Sequence, residues 1–178
     1  MSTIRLRFWG VRGSVPCPGP KTVKFGGNTA CLELRFGESG RLVVIDAGTG
    51  IRELAAHILK TDLPKGPIKT QLFLTHTHWD HIMGFPFFTP IFIPGTEIEV
   101  YGPVSYEEDT LEEIVGGQLR YRYFPVRMEE LQGKLQYFQP RDWGRGPSLA
   151  MASTISGGTS AASRATPCHP MCAYLSGG

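Results

Sequence analysis

Apolar and polar residues alternate at period two in "IRLRFWG" (4–10) and "ACLELRF" (30–36), which predicts two strands with one buried face each. "RLVVIDAGTG" (41–50) is a more continuous apolar run that breaks on glycines, as expected of a strand covered on both faces. In "GIRELAAHILK" (50–60) the spacing changes. Ile51, Leu54, Ala55 and Ile58 fall on one side of a helix, which stops at the breaker-rich "TDLPKGP". "KTQLFLTH" (69–76) reads as another buried strand, "TEIEVYGP" (96–103) as a further strand and "LQYFQ" (135–139) as a last short one. "YEEDTLEEIVGGQL" (106–119) reads as a helix whose early acids suit the positive end of its dipole. Strands interleaved with helices predict a layered α/β fold.

The periodicity ends near Trp143. From there the chain is crowded with Ser, Gly, Ala and Thr, which reads as a low-complexity linker or as an altered or out-of-frame terminus. The expected organisation is therefore one domain over residues 1–142 and an atypical tail over 143–178. No internal repeat is present.

Composition narrows the class only a little. The 178 residues are 41% hydrophobic and 19% charged, enough apolar material for a core, and a net charge of +2 neither demands nucleic acid nor excludes a phosphate-bearing substrate. No apolar run is long enough to span a bilayer, and the opening residues alternate like a strand instead of forming a signal-peptide core. A cytoplasmic protein is expected. Cys17, Cys31, Cys168 and Cys172 show no disulfide-framework spacing, so reduced thiols are the default.

The chemistry concentrates in "LFLTHTHWDHIMGFPFF" (72–88), where three of the five histidines and an aspartate lie between His76 and His81. Residues i and i+2 of an extended chain point the same way, so His76 and His78 are placed to chelate one ion from a strand end. Asp80 and His81 follow where the chain has turned, within reach of a neighbouring position. Imidazole suits zinc, manganese or iron, a carboxylate favours harder divalent ions, and two adjacent ions are chemically reasonable. The bland alternative is a surface loop with incidental histidines. Trp79 reads as packing, Gly84 as a tight turn and "FPFF" as an apolar plug.

"THTHWDH" resembles the H-x-H-x-D-H metal motif of the metallo-β-lactamase superfamily. With "FWGVRGSVP", "FGGNTACLEL", "VVIDAGTGIREL" and "FLTHTHWDHIMGFPFF" in this order, the chain resembles its phosphodiesterase-like branch, which includes ribonuclease Z and cyclic-nucleotide phosphodiesterases. The resemblance runs from about Ile4 to about Phe138. It implies an αββα sandwich, here with an incomplete second half, and up to two ions at one sheet edge, Zn²⁺ or else Mn²⁺ or Fe²⁺. His76 and His78 would hold the first ion, Asp80 and His81 the second, with Asp80 also positioning a metal-activated water for attack on phosphorus. Asp46 matches the acid behind the metal site that orients a ligating histidine; it reads equally well as a turn acid capping the next helix.

Family members carry a second αβ half with a third histidine, a bridging aspartate and a final histidine. Only His169 in "CHP" resembles the third-histidine segment. It reads as a ligand, as a tail histidine, or with Cys168 and Cys172 as part of a Cys/His zinc site. Two functions from different classes follow. One is a metal-dependent hydrolase acting on a small-molecule or nucleotide phosphodiester. The other is a truncated, non-catalytic remnant that binds metal weakly or serves as an interaction module. A missing half also predicts an exposed sheet face or edge and with it a homo-oligomer. No substrate-binding residue is assigned. Arg12, Ser14 and Asn28 read as turn chemistry with Gly13, Gly26 and Gly27 at positive φ, or as phosphate contacts. "LRYRYFPVR" (119–127) reads as a half-buried strand or as a basic-aromatic surface for single-stranded nucleic acid. His57 reads as a packed or half-exposed helix residue.

Overall fold

A computed structural model describes residues 3–37, 39–103 and 109–139. The 143–178 tail, with His169, Cys168 and Cys172, lies outside the described residues, as do residues 106–108 of the expected second helix. Six strands form one mixed sheet in chain order: β1 (Ile4–Gly10), β2 (Cys31–Phe36), β3 (Arg41–Ile45), β4 (Lys69–Phe73), β5 (Glu97–Tyr101) and β6 (Lys134–Phe138). The first three pair antiparallel and the rest parallel. Helix α1 (Ile51–Thr61) crosses between β3 and β4, and α3 (Leu111–Gly116) between β5 and β6. The intervening α2 is a single short turn, Trp79–Ile82.

One sheet face carries the core. Val44, Leu72, Ile98 and Val100 pack under Ile51, Leu54, Ala55 and Ile58, the four α1 positions expected from the spacing, with Phe85, Phe88, Ile91, Leu111 and Val115 beside them. Burying such side chains contributes roughly 1.5–3 kcal/mol each, so this layer holds the sheet and the segment after the histidines together.

The opposite face has no second layer among the described residues. The strand register lines up Phe8, Leu32, Ile45, Phe73, Tyr101 and Phe138 across it, and Leu6, Leu34 and Val43 in the next row. Phe73, Tyr101 and Phe138 stack in series at 4.7 and 5.0 Å, while Ile4, Leu6 and Phe8 stay exposed. The α/β class stands, and the described residues supply one sheet and one helical layer of the expected sandwich. Among them, no helix is long and apolar enough to cross a membrane.

Several local expectations differ from the structure. The second helix starts only at Leu111, because the Thr110 hydroxyl accepts from Glu113 N–H at 3.2 Å and the Glu113 carboxylate accepts from Thr110 N–H at 2.7 Å. Its dipole is met in the first turn by Glu112 and Glu113. Residues 120–127 are no strand. Tyr123 N–H and Phe124 N–H both donate to Arg120 C=O, at 2.7 and 2.9 Å, closing a turn before Pro125. Trp79 is 74% exposed and packs little. Gly84 has an ordinary φ of −84° and serves a close approach, since a Cβ there would meet Gly48 C=O at 2.1 Å.

Candidate metal centre

The site is built at the C-terminal ends of β3 and β4, where three chain segments meet. After β3, Asp46 N–H donates to Phe73 C=O at 2.8 Å, and the chain then turns through Ala47 and Gly48. Ala47 N–H donates to His81 C=O at 2.7 Å, Gly84 N–H to Ala47 C=O at 2.8 Å, and Gly48 N–H to Ala30 C=O at 2.8 Å. The contact is so close that a Cβ on Gly48 would lie 2.3 Å from Asp80 C=O and 2.6 Å from Ala30 C=O. Glycine is required there by space alone. These backbone bonds fix α2, and with it Asp80 and His81, against the end of the sheet.

His76, His78, Asp80, His81 and Asp46 all come together. The His76 and His78 rings are 4.6 Å apart, edge to face, and the His76 and His81 rings 3.9 Å apart. Asp46 is buried and is the hub. Its carboxylate accepts from Thr75 N–H at 2.8 Å, from the Thr75 hydroxyl at 2.9 and 3.0 Å, and from His81 Nδ1 at 2.8 Å. A carboxylate only accepts, so in the neutral His81 ring the proton sits on Nδ1 and the lone pair on Nε2. That Nε2 lies 3.4 Å from Asp80 Oδ2. The Thr75 hydroxyl, its proton committed to Asp46, is left to accept from His76 Nδ1 at 3.1 Å. Burial, then the neighbouring His81 and His78, hold His76 below the usual histidine pKa.

The helix-cap role for Asp46 is not seen, since the N-cap of α1 is Gly50 and no side chain caps it. Sequence reasoning gave Ser14 a turn role and missed its contact with Asp80: Ser14 N–H donates to Asp80 Oδ2 at 2.8 Å. Ser14 has φ 67°, whereas Gly27 is a close-approach glycine and only Gly26 of the three expected glycines has positive φ. Asn28 acts locally, its C=O accepting from Val11 and Arg12 N–H at 3.1 and 3.0 Å. His57 is remote from the motif, its ring 5.3 Å from Trp9 and its Nε2 3.0 Å from Arg7.

The donor chemistry fits a divalent ion in one respect. An imidazole lone pair and a carboxylate oxygen 3.4 Å apart match the edge of a tetrahedron with bonds of about 2.1 Å, and a carboxylate behind the histidine fixes its tautomer. In another respect the fit is incomplete, because among the described residues no group of three or more His, Cys, Asp or Glu donors converges on one point.

Comparison with known proteins bears on the same segment. Over 113 residues the chain is 26% identical to ribonuclease Z of Prochlorococcus marinus strain MIT 9515, covering 62% of this chain and 35% of that one. It is 32% identical over 81 residues to ribonuclease Z of strain MIT 9312, covering 44% and 25%, and 33% identical over 79 residues to that of strain AS9601, covering 43% and 24%. The chain thus spans about a third or less of the length of these relatives. No solved structure matches it. Residues 25–145, more than half of the chain, match the Metallo-beta-lactamase superfamily, and the chain belongs to that family.

Proposed function

We propose that this chain is a metal-dependent hydrolase that cleaves phosphodiesters with metal-activated water. His76 and His78 hold one ion and Asp80 and His81 the other, zinc by the donor chemistry and otherwise manganese or iron. His169 is proposed as a further ligand. A bound divalent ion lowers the pKa of water and offsets charge on phosphoryl oxygens. The chain's own residues prepare for that. Asp46 directs the proton of the neutral His81 ring to Nδ1, which puts the lone pair on Nε2, and Ser14 N–H holds Asp80 Oδ2 in place. The relatives named ribonuclease Z support a phosphodiester in RNA as the bond class.

The observation that carries this reading is His81 suspended between two carboxylates, Asp46 on Nδ1 at 2.8 Å and Asp80 near Nε2 at 3.4 Å. The test is the metal content of the dialysed protein together with hydrolysis of bis-p-nitrophenyl phosphate in added zinc or manganese. Two firmly held ions and turnover are expected. The second reading, a non-catalytic module that binds metal weakly, is favoured by the lack of a convergent three-donor group among the described residues. One ion or none, with no turnover, decides for it.

A further inference from the structure

The turn at residues 120–127 presents Arg120, Tyr121, Arg122, Tyr123 and Arg127, all exposed. The Tyr121 and Tyr123 rings are 72% and 70% exposed, which leaves aromatic faces open to a ligand. Guanidinium groups stand beside them: Arg127 Cζ lies 5.9 Å from the Tyr121 centroid and Arg122 Cζ 5.9 Å from that of Tyr123. The turn is anchored. Phe124 packs edge-on to Phe87 at 5.5 Å, and Gln118 Nε2 donates to Ile82 C=O at 3.2 Å. Both anchors lie in the segment leaving the histidine motif, so the backbone of the turn is tied to the segment that follows Asp80 and His81. A cavity of about 440 Å³ opens beside them, lined by Arg120, Arg122 and Arg127 together with Glu112, Glu113 and Glu129.

We infer that this turn is a contact surface for single-stranded nucleic acid, with bases stacking on Tyr121 and Tyr123 and phosphates meeting the three arginines. The inference rests on the phosphodiesterase reading and adds the part of the chain that holds the strand. Acids share the surface, so stacking outweighs charge. Glu113 accepts from the Thr110 hydroxyl and Glu130 from Arg127 N–H at 2.7 Å, and both keep their charge, so with Glu112 and Glu129 four carboxylates share the surface with three guanidinium groups. A duplex keeps its base faces stacked inside, whereas a single strand offers them to the rings.

The test is fluorescence anisotropy of a labelled oligouridylate of about twelve nucleotides, with the full chain in EDTA, against a duplex RNA of the same length. The single strand is expected to bind at least tenfold tighter than the duplex. Tyr121→Ala and Tyr123→Ala are each expected to weaken binding by roughly 5- to 150-fold, and the Tyr→Phe variants, which keep the ring, by less than about twofold. The slope of log affinity on log salt is expected to be shallow, no steeper than about −2 for three phosphates. Undetectable binding, duplex binding as tight as single-strand binding, or alanine variants that bind like the parent would each overturn the inference. Hydrolysis of bis-p-nitrophenyl phosphate by the parent chain separates the two ideas. Turnover without ring-dependent oligonucleotide binding sinks this one alone, and ring-dependent binding without turnover sinks only the hydrolase.

Discussion

Asp46→Asn isolates the tautomer argument from the folding argument. Asp46 accepts from two Thr75 donors and from His81 Nδ1. Asparagine is nearly isosteric and, with Asp and His, is enriched at positive φ, so it tolerates the observed 62°. It keeps one acceptor for Thr75 N–H. Toward His81, however, it turns an NH₂ group, a donor, and His81 must respond by accepting on Nδ1 and carrying its proton on Nε2. The nitrogen 3.4 Å from Asp80 Oδ2 then bears hydrogen where a lone pair stood. Disrupting such a partner costs about 10- to 100-fold in metal affinity, while stability changes by only about 1–2 kcal/mol, because weaker neutral hydrogen bonds replace charge-assisted ones.

Asp46→Ala behaves differently. It leaves Thr75 N–H and His81 Nδ1–H without an acceptor, at about 1–3 kcal/mol each, and places a β-carbon residue at φ 62° with no polar side chain to compensate. A loss of about 3–8 kcal/mol is expected. Zinc affinity by competition with a chromogenic chelator, thermal unfolding, and ¹⁵N NMR of the His81 ring read the three quantities separately. An asparagine variant that binds zinc within twofold of the parent, or that unfolds as early as the alanine variant, refutes the reasoning.

Ser14→Pro removes the N–H that donates to Asp80 Oδ2 and cannot adopt φ 67°, so metal affinity and stability should both fall. Ser14→Gly keeps the donor and relieves a left-handed residue, for a gain of about 0.5–1 kcal/mol with metal affinity unchanged; paired melts and metal titrations show whether the two variants diverge. Gly48→Ala drives a Cβ into Asp80 and Ala30 carbonyls, and urea unfolding should show a loss of about 3 kcal/mol or more. Burial raises the Asp62 pKa, but hydrogen bonds from Arg35, at 2.6 and 2.8 Å, and Thr61 outweigh it and leave the carboxyl below its usual range. The folded pKa lies under the unfolded one, so this pair contributes stability above about pH 4 that is lost as pH falls through the folded value. Asp62→Asn should therefore lower stability near neutrality and flatten the acid limb of the stability curve.

The strands and α1 were legible because their side chains report their surroundings. Alternation marks β1 and β2, and the Ile51, Leu54, Ala55, Ile58 stripe marks the face of α1 that is buried. The histidine cluster was legible because imidazole at that density has no role in a core. Alternation misled at 120–127, where Arg and Tyr succeed one another as in a strand but the chain closes on Arg120 C=O instead of on a neighbouring strand. Trp79 misled because a large ring is usually packed, and here it faces solvent. The partner of Asp80 had no signature at all, because the donor is the backbone of Ser14, and a backbone N–H looks the same under any side chain. Gly84 and Gly48 could be seen as special residues, but whether a glycine serves a turn or a close approach depends on what lies across from it.

Among the described residues, the non-glycine positions with positive φ are Ser14 and Asp46, and each contacts one member of the Asp80–His81 pair. A left-handed residue costs about 1–2 kcal/mol, and such strain persists only where the surroundings over-determine it. At Asp46 the strain is inseparable from the chemistry, since glycine would relax the backbone and delete the carboxylate that holds His81. At Ser14 the two separate, because the group that holds Asp80 is an N–H that glycine also carries. The contrast ranks the two contacts. If strain at this sheet end serves the metal pair, relieving it at Ser14 should stabilise the fold and leave metal affinity as it was, while any substitution that removes the Asp46 carboxylate should cost affinity whatever it does to stability.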